Sequence, residues 1–395
     1  MKKYLPQCST ILEFCGAWPS VEYYTGWRKI IYDFYTLVVI LLIFTCCLSG
    51  AIQLCIFTRT INEFAINGYM LLTLCTTFSK AFTIILKRDY LAKAFESMEN
   101  DTYRAQNEEE KQIQDEWNPH SSRSPQGYRF LVMVSIFVVT ITSFEDNIPS
   151  RTLLFGGWFP YNHTDGIGFG AAFVHQLIVH NWGALIGSSI DAVIYGTLIQ
   201  ICGQLKILGC RLRKIPEVIR KHTRLSANMN KNDDKTFKIE DWERLVVLDC
   251  IRHHLHILQF SKTCNGIYSI VIFFQFLASG VIICICVILL TKMKFMGSEY
   301  IFMLSYLGCM VAQIFFYCWF GNEVILESLN IDTVIYEMDW SELSLSTQRD
   351  LLIIMTRSMY PIEFTSGKMV TLSINSFNAV MKLSYSVYNV LGQKG

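Results

Sequence analysis

Residues 264–290 read CNGIYSIVIFFQFLASGVIICICVILL, without a single Asp, Glu, Lys or Arg. An uncharged apolar stretch longer than about 18 residues can cross a bilayer as a helix. Residues 34–57 and 300–320 have the same character. The whole chain of 395 residues is 52% hydrophobic and only 17% charged, which is too little charge to cover the surface of a soluble protein of this size. The sequence therefore predicts an all-α membrane protein with several spans.

Four weaker stretches complete the predicted spans. Each is long enough to cross a bilayer but contains charged side chains, such as Lys80, Asp191 or Lys382. These stretches are residues 66–86, 130–148, 169–203 and 369–391. Together, the three uncharged stretches and the four weaker ones predict seven transmembrane helices. Six is the alternative if the third span, where Glu145 and Asp146 shorten the apolar part, is re-entrant.

Positive charge is distributed unevenly between the two sides of the predicted spans. Of the 34 Lys and Arg residues, 27 fall on one side and five on the other, with Lys80 and Lys382 inside spans. Because Lys and Arg near span ends favour the cytoplasm, the bias predicts a cytoplasmic N-terminus and, with seven spans, an extracellular C-terminus. The N-terminal residues lack the apolar region of a cleavable signal peptide, so we expect the first span to act as a signal anchor.

The segments between the spans also show helical spacing. Residues 239–263 have this spacing and no break before the fifth span, and the fourth span continues beyond residue 203 in the same way. We therefore expect helices four to six to extend into a cytoplasmic anchor bundle. The predicted organisation is a cytoplasmic N-terminus (1–33), six membrane helices with their loops (34–320, with 204–263 as the cytoplasmic extension), a cytoplasmic helical segment (321–368), and the last helix with a short extracellular end (369–395).

Cysteines and glycosylation sequons agree with this topology. None of the 14 cysteines lies in a predicted outside loop, so we expect no extracellular disulfide. The sequon at Asn162 lies in the longest outside loop, residues 149–168, and the sequon at Asn100 lies in a predicted inside loop. We predict glycosylation of Asn162 alone, and we expect the outside loop to fold back over the helices as a lid.

No catalytic or cofactor-binding pattern occurs in the sequence. His253, His254 and His256 resemble a metal cluster by number, but adjacent positions on a helix face different sides, and a solvated helix surface is the preferred interpretation. The basic residues of 211–224 either bind acidic lipid headgroups or are ordinary charges of a cytoplasmic loop. A net charge of +1 argues against nucleic-acid binding. We predict no enzymatic activity, no metal and no cofactor.

The C-terminal part of the chain contains a specific composite motif. Residues 321–340 read GNEVILESLNIDTVIYEMDW, and residues 349–393 read RDLLIIMTRSMYPIEFTSGKMVTLSINSFNAVMKLSYSVYNVLGQ. The joint pattern resembles that of the insect odorant receptor family. The matching positions are Gly321, Asn322, Glu323, Ser328, Tyr336, Trp340, Arg357, Pro361, Thr365, Gly367, Lys368 and 382–386, with Asp191, Gln204, Cys250 and His253 earlier in the chain.

This resemblance implies a seven-helix subunit of a tetrameric, odorant-gated cation channel. In that family, variable tuning subunits assemble with a shared co-receptor subunit in the plasma membrane of olfactory sensory neuron dendrites. The long insertion that marks the co-receptor between the fourth and fifth spans is absent here, so the resemblance is to a tuning subunit. The alternatives are a related gustatory receptor, whose Thr-Tyr pair and terminal Gln-Phe are missing from residues 369–391, and a G-protein-coupled receptor, whose N-terminus would be outside.

Polar side chains form a single stripe along the last predicted helix. At about 100° per residue, they fall within roughly 80° of its circumference. They are Asn375, Asn378, Lys382, Ser386, Asn389 and Gln393. Such a stripe faces either a water-filled lumen or hydrogen-bonding neighbours without a lumen, and the resemblance favours a pore. It also implies an apolar gate at Val390, with Gln393 just outside it. Lys382 fits a cation pathway poorly, because its charge repels the permeant ion.

The resemblance places an odorant pocket among the second to sixth helices, toward the outside. The candidate lining residues in the outer halves of these helices are Met70, Leu74, Val138, Thr142, Ala184, Ser188, Tyr300 and Tyr306. Apolar walls with a few hydroxyls suit small volatile ligands, which bind mainly by burial at about 25 cal/mol per Å². Ordinary helix packing is the alternative role of each of these residues.

Overall fold

The computed structural model describes residues 5–19, 26–99, 101–118, 123–164, 166–228, 239–293, 295, 297–367 and 369–392. Over these residues the chain forms a helical bundle with one small hairpin, as predicted for an all-α protein. The helices are α1 (Pro6–Phe14), α2 (Gly26–Ile52), α3 (Ile61–Ser97), α4 (Glu108–Glu116), α5 (Arg123–Thr142), α6 (Ile148–Ser150), α7 (Gly166–Asn228), α8 (Ile239–Lys292), α9 (Ser298–Glu337), α10 (Leu345–Ser358) and α11 (Ile374–Gly392). The antiparallel strands are β1 (Thr365–Ser366) and β2 (Val370–Thr371), and single helical turns of other types occur at Gln53–Phe57, Asp101–Tyr103, Ser143–Asn147 and Trp340–Glu342.

Helices occur at all seven predicted spans. Among the described residues, six helices are long and apolar enough to cross a membrane, namely α2, α3, α5, α7, α8 and α9. Together with the turn at Ser143–Asn147 and with α6, α5 forms a continuous helical segment of 25 residues, Gln126–Ser150, which is long enough for a complete crossing. The seventh helix, α11, has 19 residues, and its polar stripe keeps it outside the set of six.

The last helix begins later than the sequence predicted. Residue 369 lies in a hairpin, and α11 starts only at Ile374. The turn of the hairpin contains Gly367 at φ 57°, a left-handed conformation that glycine adopts readily. Ser373 then starts the helix, because its Oγ accepts a hydrogen bond from the Ser376 N–H at 3.3 Å. The apolar residues before Ile374 are therefore part of the hairpin and its connection.

Polar side chains also fix the starts of three other helices. Thr60 accepts a hydrogen bond from the backbone N–H of Glu63 at the start of α3. Asn107 and Ser344 do the same at the starts of α4 and α10. Each cap satisfies a backbone donor that has no partner within the helix.

Helices α7, α8 and α9 are much longer than a bilayer requires. The lengths of α7, α8 and α9 are 63, 54 and 40 residues. With a rise of about 1.5 Å per residue, each exceeds the ~30 Å thickness of the hydrocarbon layer, so the predicted extension of helices four to six is confirmed. The central helix is α7, whose apolar stretch is 94% buried and which packs against α1, α3, α5, α8 and α9.

Candidate ligand cavity and candidate pore helix

Two adjoining cavities lie within the membrane part of the bundle. The inner cavity, of about 130 Å³, is lined by residues of α3, α5, α7, α8 and α9. The outer cavity, of about 450 Å³, lies toward the start of α3 and beneath the loop that precedes α7. Both are lined by Val139, His180 and Phe302, so the two cavities share a wall.

Six of the eight predicted pocket residues line these cavities. Leu74, Ala184, Ser188 and Tyr306 lie on the inner cavity. Met70 and Thr142 lie on the outer one. The remaining two, Val138 and Tyr300, line neither cavity. The backbone carbonyl of Val138 accepts a hydrogen bond from Thr142, and the ring of Tyr300 packs against Phe295.

The inner cavity reaches a buried charged network that the pocket prediction missed. Lys80 Nζ donates to Asp191 Oδ1 at 2.7 Å. Tyr317 donates to the same oxygen at 2.6 Å, Tyr128 donates to Oδ2 at 3.1 Å, and Gln313 also donates to Oδ2. All five side chains are buried. Because an unpaired buried charge is costly, this set of donors stabilises the Asp191 carboxylate inside the bundle.

The sequence did contain a signal for this network. Lys80 and Asp191 are isolated charges inside otherwise apolar spans, and a charge within a membrane helix is by default a candidate functional group with a partner. The sequence did not show that Lys80 and Asp191 pair with each other, because the two residues are 111 positions apart. Gln275 and Gln313, which line the same cavity, lie on α8 and α9.

The loop before α7 folds back over the outer cavity, as expected for a lid. Ser49 of α2 exchanges hydrogen bonds with the backbone of Trp158, at 2.7 and 3.1 Å. Gln176 of α7 donates to the Phe155 carbonyl at 2.9 Å. Leu154 and Phe155 line the outer cavity, so movement of this loop would change access to it.

The predicted glycosylation site is accessible in this loop. Asn162 is exposed, and its Oδ1 accepts hydrogen bonds from the backbone and hydroxyl of Thr164. Asn100, the sequon that we expect to remain unmodified, lies outside the described residues.

A buried polar cluster fixes the extension of α7 to α4 and α8. Arg211 donates to the Glu110 carboxylate at 3.0 Å and to two backbone carbonyls of the segment before α4 at 2.8 Å. His253 Nε2 lies 2.9 Å from Gln204 Oε1. All four side chains are buried. A buried pair with further hydrogen bonds holds these helices in one arrangement.

At the surface beside this cluster, Lys214 pairs with Glu109. The hydrogen bond from Lys214 holds the pKa of the Glu109 carboxyl below its usual value. Glu109 is more than half exposed, and exposed ion pairs contribute little to stability. The buried contacts of Arg211 are therefore the stronger attachment.

The solvated-surface interpretation of the three histidines is wrong for two of them. His253 and His254 are buried, at 0% and 6% exposure, whereas His256 is exposed. The ring of Tyr103 covers His253 at a centroid distance of 5.6 Å, because the segment between α3 and α4 packs over α8. Arg211, one of the basic residues considered for lipid binding, is likewise inside the protein.

The last helix packs through one face and presents its polar stripe on the other. Phe377 and Val380 contact the core, and Ser384 is buried. The stripe residues Asn375, Asn378, Lys382 and Ser386 are exposed on the protomer, and Asn389 is half-buried. The side chain of Val390 and the whole of Gln393 lie outside the described residues, so the predicted gate stays a prediction.

The segment before α11 is held by several of the motif residues. Ser328 accepts a hydrogen bond from the Ile362 N–H at 3.0 Å. The N–H of Thr365 donates to Asn265 at 3.0 Å, and the N–H of Gly367 donates to Ser269 at 3.0 Å. These bonds join the hairpin to α8 and α9, so the shared motif has a local structural role in positioning the last helix.

Comparison with known proteins gives one family. Residues 60–385 match the sequence model of the family described as 7tm Odorant receptor. Odorant receptor Or1 of Anopheles gambiae is 27% identical over 66% of this chain and 65% of its own length, and Odorant receptor 10 of Aedes albopictus is 28% identical over 48% and 46%. The chain thus spans about half to two thirds of these relatives. The solved structures of the insect olfactory receptor OR5 from Machilis hrabei, alone and in complex with eugenol, superpose with a TM-score of 0.84 over 100% of this chain and 98% of theirs. At 17% identity this likeness shows a shared fold.

Proposed function

This chain belongs to the odorant receptor family, and we propose that it is the tuning subunit of an odorant-gated, non-selective cation channel. The proposed ligand is a small volatile odorant. The proposed partner is the co-receptor subunit of the family, in a heterotetramer. The proposed location is the plasma membrane of an olfactory sensory neuron dendrite.

The observation that carries the proposal is the position of the cavities relative to α11. Phe302, Tyr306 and Gln313 of α9 line the inner cavity. Farther along the same helix, Phe315 packs on Phe377 of α11 at a ring-centroid distance of 5.5 Å. A ligand that changes the position of α9 therefore acts on the last helix through a direct contact.

Such coupling requires two states with different ligand affinity. A ligand that binds more tightly when α9 and α11 are in the open arrangement shifts the population toward that arrangement. Tightly packed side chains, such as Phe315 and Phe377, favour discrete arrangements of α9 and α11 over a continuous deformation of their contact. The proposed gate is the ring of Val390 side chains, which closes by dewetting, with Gln393 on its outer side.

In the proposed tetramer, the polar stripe of α11 faces the central axis. Ser386 and Asn389 would form a hydrophilic part of the pore wall, while the opposite face of α11 packs on α8 and α9. Lys382 would lie on the cytoplasmic side of the narrow part. The extensions of α7 to α9, including the Arg211 cluster, would form the cytoplasmic anchor where subunits meet, and membrane lipids would surround the exposed apolar side chains of α2 and α5.

The test is electrical recording from cells that express this chain together with the co-receptor subunit, under blocked G-protein signalling. We expect currents evoked by some members of a chemically broad odorant panel, carried by Na⁺ and K⁺ alike. Cells that express the co-receptor alone are the control. A response that disappears under the block, or a complete lack of odorant-evoked current with confirmed surface expression, would contradict the proposal.

A further inference from the structure

The charged network sets the direction of a chain of amide groups at the inner end of the cavity. An ionised carboxylate only accepts hydrogen bonds, so Gln313 must present Nε2 to Asp191. Gln313 Oε1 is then the acceptor for Gln275 Nε2, at 2.6 Å. The same Nε2 donates to Ser279 Oγ at 2.6 Å, which uses both N–H bonds of this amide.

One acceptor is left over at the end of this chain. Gln275 is 2% exposed and lines the inner cavity, yet its Oε1 has no hydrogen-bond partner among the residues that the structure describes. Turning the amide over would bring its oxygen against Gln313 Oε1, so the network itself prevents that solution. A buried polar atom without a partner lowers the stability of the fold by about 1–3 kcal/mol, and a ligand that donates a hydrogen bond to it would remove this penalty.

An unused donor lines the same cavity. Lys80 has three N–H bonds, and among the described residues its hydrogen bond goes to Asp191 alone. Lys80 is also a lining residue of the inner cavity. The inner cavity is therefore lined by Gln275, whose buried Oε1 is an unpaired acceptor, and by Lys80, whose ammonium group has donor capacity left, in a mostly apolar space.

We infer that this end of the cavity binds a hydroxyl group, and that the ligands of this chain are small alcohols. This inference rests on the proposed function and specifies its ligand class. A hydroxyl is the smallest group that both donates and accepts, so its O–H satisfies Gln275 Oε1 while its oxygen accepts from Lys80 Nζ. The hydrocarbon part extends past Phe302 and Val139 toward the outer cavity.

Other ligand classes fit this end of the cavity less well. An ether or ester accepts from Lys80 but leaves Gln275 Oε1 without a donor. A hydrocarbon satisfies neither group. An alkylammonium ion is repelled by Lys80, and a carboxylate brings a second negative charge near Asp191. Among these classes, only the alcohol can satisfy both groups without adding charge.

Three probes of equal heavy-atom number test the inference, namely hexan-1-ol, methyl pentyl ether and heptane. In cells expressing the chain with the co-receptor, we expect the half-maximal concentration to rise about tenfold from the alcohol to the ether, and to rise again for heptane. Equal potency of the three probes, or a preference for the ether, would overturn the hydroxyl site. Those results would leave the proposed channel function intact, because current would still be evoked.

The matched variants are Gln275→Met and Met310→Leu, both on the inner cavity wall. Gln275→Met removes the acceptor at similar length, together with the hydrogen bonds from Gln275 to Gln313 and Ser279. Hexan-1-ol should lose about tenfold in potency and fall to the level of the ether, whereas the ether and heptane, which do not use the acceptor, should change by a common and smaller factor. Met310→Leu alters only apolar shape and should shift all three probes by the same factor. A uniform shift in Gln275→Met would show a packing role and overturn the inference.

A binding measurement separates this inference from channel activity. We expect hexan-1-ol, but not heptane or the ether at equal concentration, to raise the Tm of the purified protein in detergent, and Gln275→Met to abolish the difference. A Tm increase without current would support the hydroxyl site while contradicting the channel proposal. Equal Tm values with all three probes would mean that Gln275 Oε1 is satisfied by water alone, and would overturn the inference.

Discussion

Gly321 of α9 and Leu372, two residues before α11, are in direct backbone contact. A Cβ atom at position 321 would lie 2.4 Å from the Leu372 Cβ and 2.6 Å from its carbonyl oxygen. Leu372 is fully buried, and its N–H donates to the Phe364 carbonyl at 2.8 Å, so it has no free direction in which to move. The glycine of the shared motif is therefore required by the close approach of α9 to the segment that leads into the last helix.

Gly321→Ala tests this contact. We expect a destabilisation of about 1–3 kcal/mol from overpacking, because the added methyl group meets backbone atoms. The measurements are the Tm of the purified protein and the resting and odorant-evoked currents. Gly266→Ala, at a helical position with nothing within 4 Å of the added Cβ, is the matched control and should behave as the native protein. A native Tm and native currents in Gly321→Ala would contradict the packing argument.

Removing one charge of the Lys80–Asp191 pair should impair folding more than removing both charges. Lys80→Met leaves the Asp191 carboxylate buried without its cation, which costs about 3–5 kcal/mol. We expect little folded protein by size-exclusion chromatography and a low Tm. The double variant Lys80→Met with Asp191→Asn removes both charges and should recover most of the folded fraction. Equal loss in the single and double variants would mean that the charges are not coupled.

The sequence predicted the parts of the fold that depend on composition and failed where distant side chains meet. Apolar stretches predicted the seven helices, because a segment that crosses a bilayer must be long and nearly uncharged. Unbroken helical spacing predicted the extensions of α7 and α8. The contact of Tyr103 with His253 and that of Arg211 with Glu110 depend on how α4, α7, α8 and the segment after α3 pack, and no local pattern encodes that packing. The pocket prediction stopped at the outer halves of the helices and so missed Lys80 and Gln275.

The membrane orientation is tested by glycosylation. If the loop before α7 is extracellular, Asn162→Gln should remove one glycan, seen as a loss of about 2–3 kDa on a gel that matches enzymatic deglycosylation of the native chain. Asn100→Gln, the second sequon, is the control and should leave the mass unchanged. Loss of the glycan in Asn100→Gln instead would reverse the predicted topology.

The proposed gate is tested by Val390→Ala. Removing two methyl groups from each copy of this chain at the apolar constriction makes the constriction wider and easier to wet, so we expect current without odorant. Replacement of Gln393 on the outer side should change ion preference with little effect on resting current. Unchanged resting current in Val390→Ala together with unchanged ion preference in Gln393→Ala would remove the pore assignment of α11.

Ser384 and Ser386 provide a matched pair for the direction of the pore. Each hydroxyl donates to the backbone carbonyl four residues earlier, at 2.9 Å, so replacement by cysteine removes the same local hydrogen bond from both. Ser384 is buried at 3% exposure, whereas Ser386 is exposed on the polar stripe.

If that stripe lines the conduit, a charged thiol reagent applied during odorant exposure should inhibit the current of Ser386→Cys and leave that of Ser384→Cys unaffected. The native chain, with its 14 cysteines, sets the background. Faster modification of Ser384→Cys than of Ser386→Cys would place the opposite face of α11 in water and would be incompatible with a pore wall formed by Asn375, Asn378 and Ser386.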